Sequence, residues 1–95
     1  MDAALINFRD EFILASGPTE SVEMYSVKDD CWFVVAKMNE DRAKHSGCSL
    51  GDRVYVSCGY SEKKHGPLNT IEYFDVTAFI HGRNDLAVWT NLVVN

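Results

Sequence analysis

The side chains best able to bind a metal or act as nucleophiles are three histidines, His45, His65 and His81, and three cysteines, Cys31, Cys48 and Cys58. No two cysteines are spaced as a CxxC pair, and structural zinc draws on close ligand pairs, so no metal is expected. Ser46, Ser49 and Ser57 lie near His45 in sequence, but no GxSxG elbow surrounds them. A glycine-rich phosphate loop is also missing, so neither an enzyme nor a cofactor is expected. Asp29-Asp30 and Glu40-Asp41 read as solvated turn pairs. Arg42 has the richest recognition chemistry, because a guanidinium can grip a partner carboxylate with two parallel hydrogen bonds. The other reading has Arg42 paired locally with Glu40, Asp41 or a carbonyl.

Bulk properties narrow the partner class. The 95 residues carry a net charge of −5. Tracking nucleic-acid phosphates or docking on an anionic membrane needs a basic surface instead. No apolar run approaches the length of a membrane span. The cysteine count is odd, and Met1–Phe8 has no basic start or long apolar core. A reducing, cytoplasmic setting is therefore expected, with Cys48 and Cys58 as small buried thiols of adjacent strands.

The elements that must position these residues are short and punctuated by turns. Eight runs rich in Val, Ile, Phe, Tyr and Trp begin at residues 3, 12, 21, 31, 45, 53, 69 and 86. Gly51-Asp52 suits a II′ hairpin turn, with Gly first. No helix is expected beyond one turn at 39–44.

The second half repeats the first. At an offset of 41 residues Ile13-Leu14-Ala15-Ser16-Gly17 lies over Val54-Tyr55-Val56-Ser57-Cys58. At an offset of 49, Ser21-Val22-Glu23-Met24-Tyr25 lies over Thr70-Ile71-Glu72-Tyr73-Phe74, and at 57 Trp32 lies over Trp89. The offset grows where the second copy carries insertions, which belong in loops because a strand cannot absorb them without losing register.

The ordered set Arg42, His45, Leu50-Gly51-Asp52, Val54-Tyr55-Val56, Cys58-Gly59, Leu68-Asn69, Ile71-Glu72 and Trp89 resembles a kelch repeat. Gly17, Glu23, Tyr25 and Trp32 mark the first copy. The family's Gly-Gly pair stands as Gly17-Pro18 and Cys58-Gly59, the aromatic of strand three is Phe74 in the second copy, and Met1 occupies the place of Arg42 in the first.

This resemblance implies an all-β fold: two four-stranded antiparallel kelch-type propeller blades, an incomplete propeller. Residues 1–38 would form blade 1, and 39–95 blade 2 with loop insertions at about 60–68 and 76–86. Gly17, Glu23, Tyr25, Trp32, Tyr55, Gly59, Glu72, Phe74 and Trp89 are the expected structural residues, with both tryptophans packed between blades. The implied function is binding of a protein or peptide partner, in the manner of the substrate-recognition part of a BTB-kelch ubiquitin-ligase adaptor. The alternative is a fragment of a kelch-like propeller enzyme of copper oxidase or sugar isomerase type. Arg42, Lys44, Tyr60, Lys63, Lys64 and His65 are the candidate partner-binding residues. Further blades in the same chain, or self-association, would complete the propeller, because two blades do not close.

Overall fold

A computed structural model describes residues 3–92. Alternating apolar residues build two sheets. The first runs β1 (Ala4–Phe8), β2 (Phe12–Ser16), β3 (Val22–Ser26) and β4 (Cys31–Val34) in spatial order. The second begins with β5 (Ser46–Leu50) and β6 (Arg53–Ser57), and ends with β9 (Ile71–Asp75) and β10 (Thr90–Asn91). It is ordered β5-β6-β9-β10, and all pairings in both sheets are antiparallel. Each sheet is a propeller blade, and the pair is an incomplete propeller. Among the described residues no helix is long and apolar enough to cross a membrane.

All eight expected strands form, although the last keeps only Thr90–Asn91 as paired strand. Its end at Val93 and Val94, and the family position at Met1, lie outside the described residues. At the Gly51-Asp52 turn Gly51 has φ +62° and Asp52 does not take a positive φ, as a II′ turn requires.

Both insertions differ from open loops. Tyr60–Ser61 (β7) and Gly66–Pro67 (β8) pair as a small hairpin, with Ser61 and Leu68 buried. Val76–Ile80 forms a helical turn, α1, capped by the Asp75 carboxylate, which accepts the Ala78 N–H at 2.9 Å. Val76 and Ala78 face the core, and the Phe79 ring lies 6.1 Å from that of Phe74. Residues 39–44, conversely, form no helical turn: two of their amides turn to a carboxylate of blade 2.

The core lies between the blades. Strand pairing puts Ile6, Phe8, Leu14, Val22 and Met24 on one face of blade 1, all buried. They meet Val54, Val56, Phe74 and Trp89 of blade 2. Packing is closest where Gly47 faces Ile6: a Cβ on Gly47 would come within 2.5 Å of the Ile6 Cδ1. Trp89 stacks on Phe74 at 5.3 Å, and its indole N–H donates to the Ala36 carbonyl at 2.8 Å.

Trp32 does not share this role. It is 54% exposed, on the face of blade 1 turned away from blade 2. Its neighbour is Tyr25, 5.2 Å away, whose hydroxyl donates to Asp30. Of the two tryptophans expected to pack between blades, Trp89 packs between these two, and Trp32 lies on the open face of blade 1. The same strand position faces the neighbouring blade in one copy and open surface in the other.

Trp89→Ala should cost about 3–5 kcal/mol, the range for losing a large buried aromatic. Trp32→Ala, in dilute solution, should cost under about 1 kcal/mol. Denaturant midpoints check the split, and equal losses would contradict it.

Candidate functional site

Arg42 enters blade 2 at the end where the β2–β3 loop and the β6–β9 connection meet. It is fully buried. Its Nε donates to Glu72 Oε2 at 3.2 Å and Nη2 to the same oxygen at 3.0 Å. Nη1 donates to the carbonyls of Cys58 at 2.8 Å and Thr70 at 2.9 Å, while Nη2 also donates to Thr70 Oγ1 at 2.9 Å. A guanidinium has five N–H donors, and all five are used. No donor is left for a partner carboxylate, so Arg42 is a strut of the fold and not the exposed contact expected of it. The local alternative does not hold either: the carbonyls it meets are 16 and 28 residues away, and its ion partner is Glu72, on β9, not Glu40 or Asp41.

Glu72 is buried too, and accepts the backbone N–H of Asn39 at 2.6 Å and of Glu40 at 3.2 Å. Buried charge is tolerated only when paired and hydrogen-bonded, as here. Asn39 Nδ2 also donates to the Trp89 carbonyl at 3.1 Å. The crossing between blades is thereby fastened to blade 2.

Asp41 holds the adjoining loop. Its carboxylate accepts from the Ser61 hydroxyl and from the backbone N–H of Glu62 at 2.9 Å and of Lys63 at 3.4 Å. The Ser61 bond leads in lowering its pKa below the ordinary carboxylate value. Asp41 is buried, not the solvated turn residue expected. Backbone hydrogen bonds between Ala43 and Tyr60 close the other side of the loop.

Around this frame stand the other candidate contact residues. Lys44, Tyr60, Lys63, Lys64 and His65 are all exposed. Two are engaged within the chain: Lys63 Nζ lies 3.0 Å from Glu20, and Lys64 Nζ 2.7 Å from Glu40. Exposed pairs of this kind hold weakly and exchange readily. Sequence spacing gave no signal for the pairings, which span 43 and 24 residues. Between the loops lies a cleft of about 420 Å³, lined by Pro18, Thr19 and Glu20 of blade 1 and Asp41, Ala43, Glu62 and Lys63 of the loop end of blade 2.

The glycines retained from each Gly-Gly pair are tightly packed. Gly17 has φ +82° and Gly59 φ +90°, a region L side chains rarely adopt. A Cβ on Gly17 would lie 2.7 Å from His45 Cε1, and one on Gly59 2.8 Å from His45 Cβ. His45 is thus wedged between the blades, with Nε2 2.8 Å from the Ser16 hydroxyl and a buried Nδ1 lacking a partner among the described residues. Burial, followed by the Arg42 charge, lowers its pKa below the ordinary 6.5.

Chemistry of other kinds finds little here. Among the described residues no group of three or more His, Cys, Asp or Glu could hold a metal. Cys31, Cys48 and Cys58 are free and exposed, which corrects the expectation of buried thiols at Cys48 and Cys58. Cys48 pairs with Tyr55 on the uncovered face of blade 2, and Cys58 takes a left-handed φ of +59° beside Gly59.

Human Kelch-like protein 4 is 40% identical to this chain over 57 residues. This match, together with the two four-stranded antiparallel sheets, supports kelch repeats in the chain. The match covers 60% of this chain and 8% of that relative's length. No protein-family model matches. In these two blades Arg42, Glu72 and Gly59 support the fold, and the exposed Lys44, Lys63, Lys64 and His65 lie on connections between strands.

A histidine whose folded pKa is lowered protonates more readily when unfolded. Its stabilising contribution is whole above the ordinary value of 6.5 and declines as pH falls below it, toward the lower folded value. We expect His45→Gln to flatten the loss of stability just below that pH. Denaturant titrations at stepped pH measure it, and an unchanged slope would contradict the assignment.

Proposed function

We propose that the loop end of the blade pair, made by residues 17–20, 41–44 and 60–65, recognises a protein or peptide partner. In this reading the chain belongs to a kelch propeller that serves as the substrate-recognition part of a cytoplasmic BTB-kelch ubiquitin-ligase adaptor. Blade 1 takes residues 1–38 and blade 2 takes 39–95.

The observation that carries the reading is the cleft of about 420 Å³ formed by loops of both blades over a buried Asp41–Ser61 anchor. Loops on a rigid scaffold are the usual carriers of recognition, and preorganised ones lose little entropy on binding. Pro18, Thr19 and Ala43 give the cleft apolar and neutral wall, while Glu20, Glu62 and Lys63 supply charge of both signs. That mixture suits a peptide better than a phosphate backbone, as does the net charge of −5. A larger cleft of about 510 Å³ lies at the other end, around Phe12, Lys28 and Ile80. Side-chain bonds in its lining turn are local, between Ser26 and Asp29 three residues apart, and not between separate loops like that of Asp41 and Ser61.

Within this surface Tyr60, Lys63, Lys64, His65 and Lys44 are the contact residues, and Arg42 acts through the frame beneath them.

Selection of displayed peptides on the chain tests the proposal. Selected peptides should lose about tenfold or more in affinity with Tyr60→Ala combined with Lys63→Ala, a loss of about 1.4 kcal/mol. The melting midpoint should not move. Peptides that bind the double variant as tightly as the parent chain, or a selection that enriches none, would contradict it.

A further inference from the structure

The two ends of the blade pair treat their carboxylates differently. At the loop end Glu20 and Glu40 are each paired with a lysine of the same chain, and Asp41 is buried among its donors. At the opposite end, around the cleft of about 510 Å³, Asp10, Glu11 and Asp29 have no ion partner among the described residues. Lys28 is the only cation among the lining residues described. Arg9 stands next to Asp10 in the chain but is spent elsewhere: its Nη2 donates to Asp52 at 2.7 Å and to the Gly51 carbonyl at 3.0 Å. Phe12, Val27 and Ile80 give the same cleft an apolar side, Val27 being 48% and Ile80 45% exposed.

Both blades hold this cleft in shape. Asn7 and Asp10 clasp each other: Asn7 Nδ2 donates to Asp10 Oδ1, and the Asp10 N–H to Asn7 Oδ1, both at 2.8 Å. The Val27 N–H donates to the Glu11 carbonyl at 3.0 Å and joins the two turns of blade 1. Asp52, already gripped by Arg9, accepts the Thr77 hydroxyl at 2.9 Å, which ties α1, and Ile80 with it, to the same end. We propose that this cleft seats a basic segment of another protein, with an apolar side chain against Val27 and Ile80 and flanking lysine or arginine side chains on Asp10, Glu11 and Asp29. The exposed apolar groups supply area to bury, and the uncompensated carboxylates select the charge of what buries it. A nucleic-acid backbone or an anionic membrane is repelled by the same carboxylates. The walls are turns of blade 1 and helical turn α1 of blade 2, fixed before any partner arrives, so little ordering entropy is lost on binding. The inference rests on this cleft and is independent of what the loop end binds.

Fluorescence anisotropy with labelled hexapeptides tests it, each peptide carrying one leucine flanked by lysine or arginine at every other position. The same peptides with glutamate for the cations, or with serine for the leucine, serve as controls. Basic leucine peptides should bind the chain, and both control sets should bind far more weakly. Glu11→Lys combined with Ile80→Ser should weaken binding by about tenfold or more. Both substitutions alter exposed side chains, and circular dichroism confirms that the variant keeps the β-sheet signal. Tyr60→Ala combined with Lys63→Ala, at the loop end, should leave the affinity unchanged. Failure of every basic peptide to bind would overturn the proposal. So would serine peptides that bind as well as leucine ones, because the attraction would then be that of any cation for an acidic chain. Affinity kept by the Glu11→Lys, Ile80→Ser variant, or lost in the loop-end variant, would place the binding elsewhere and overturn it too.

Discussion

A carboxylate buried between two sheets must be met by hydrogen-bond donors, or the sheets cannot close over it. Glu72 is that carboxylate, and what meets it organises the molecule. The guanidinium of Arg42 and the amides of Asn39 and Glu40 converge on its two oxygens. Supplying those amides requires residues 39–42 to be unwound as they cross from blade 1 to blade 2. The crossing is then tied to Trp89 at both ends, through the Ala36 carbonyl and the Asn39 side chain. Asp41, carried between Glu40 and Arg42, reaches Ser61 and fixes the loop above. The loops at this end thus inherit their rigidity from a charge that the propeller core has to satisfy.

Repetition explains why like residues have unlike fates. Glu72 and Glu23 occupy the same place in the two copies, yet one is buried and the other exposed. Phe74 stacks on a buried Trp89, whereas Tyr25 leans on an exposed Trp32 and donates its hydroxyl to Asp30. Burial in a stacked architecture is a property of the position in the stack as well as of the residue. Loss of the tyrosine hydroxyl in blade 2 is compatible with that: Phe74 is fully buried beneath α1 and needs no partner.

Much of the fold was legible in the chain because strand alternation and turn chemistry are local. The eight runs, the Gly51 turn and the doubled Trp all lie within short windows. The strut role of Arg42 was not legible, because its partners Cys58, Thr70 and Glu72 lie 16 to 30 residues away on elements whose pairing is non-local. The Asp41–Ser61 anchor was hidden for the same reason. Helix α1 had a local signal in Asp75, an N-cap residue before Val76-Thr77-Ala78, but five residues give no amphipathic period to read. Of the candidate contacts, composition identified the exposed ones and misjudged the one with the richest chemistry, since a guanidinium suits a buried carboxylate as well as a partner's.

The most direct test of this account is a double-mutant cycle on Arg42→Met and Glu72→Gln, read by denaturant unfolding. Arg42→Met should cost about 3–5 kcal/mol, since it leaves a buried charge unpaired. The two losses should fall short of additivity by about 1–3 kcal/mol, as expected for groups in one network. Losses that add to within about 0.5 kcal/mol would show the two residues to be independent, and the charge between the blades would not be what holds the loop end together.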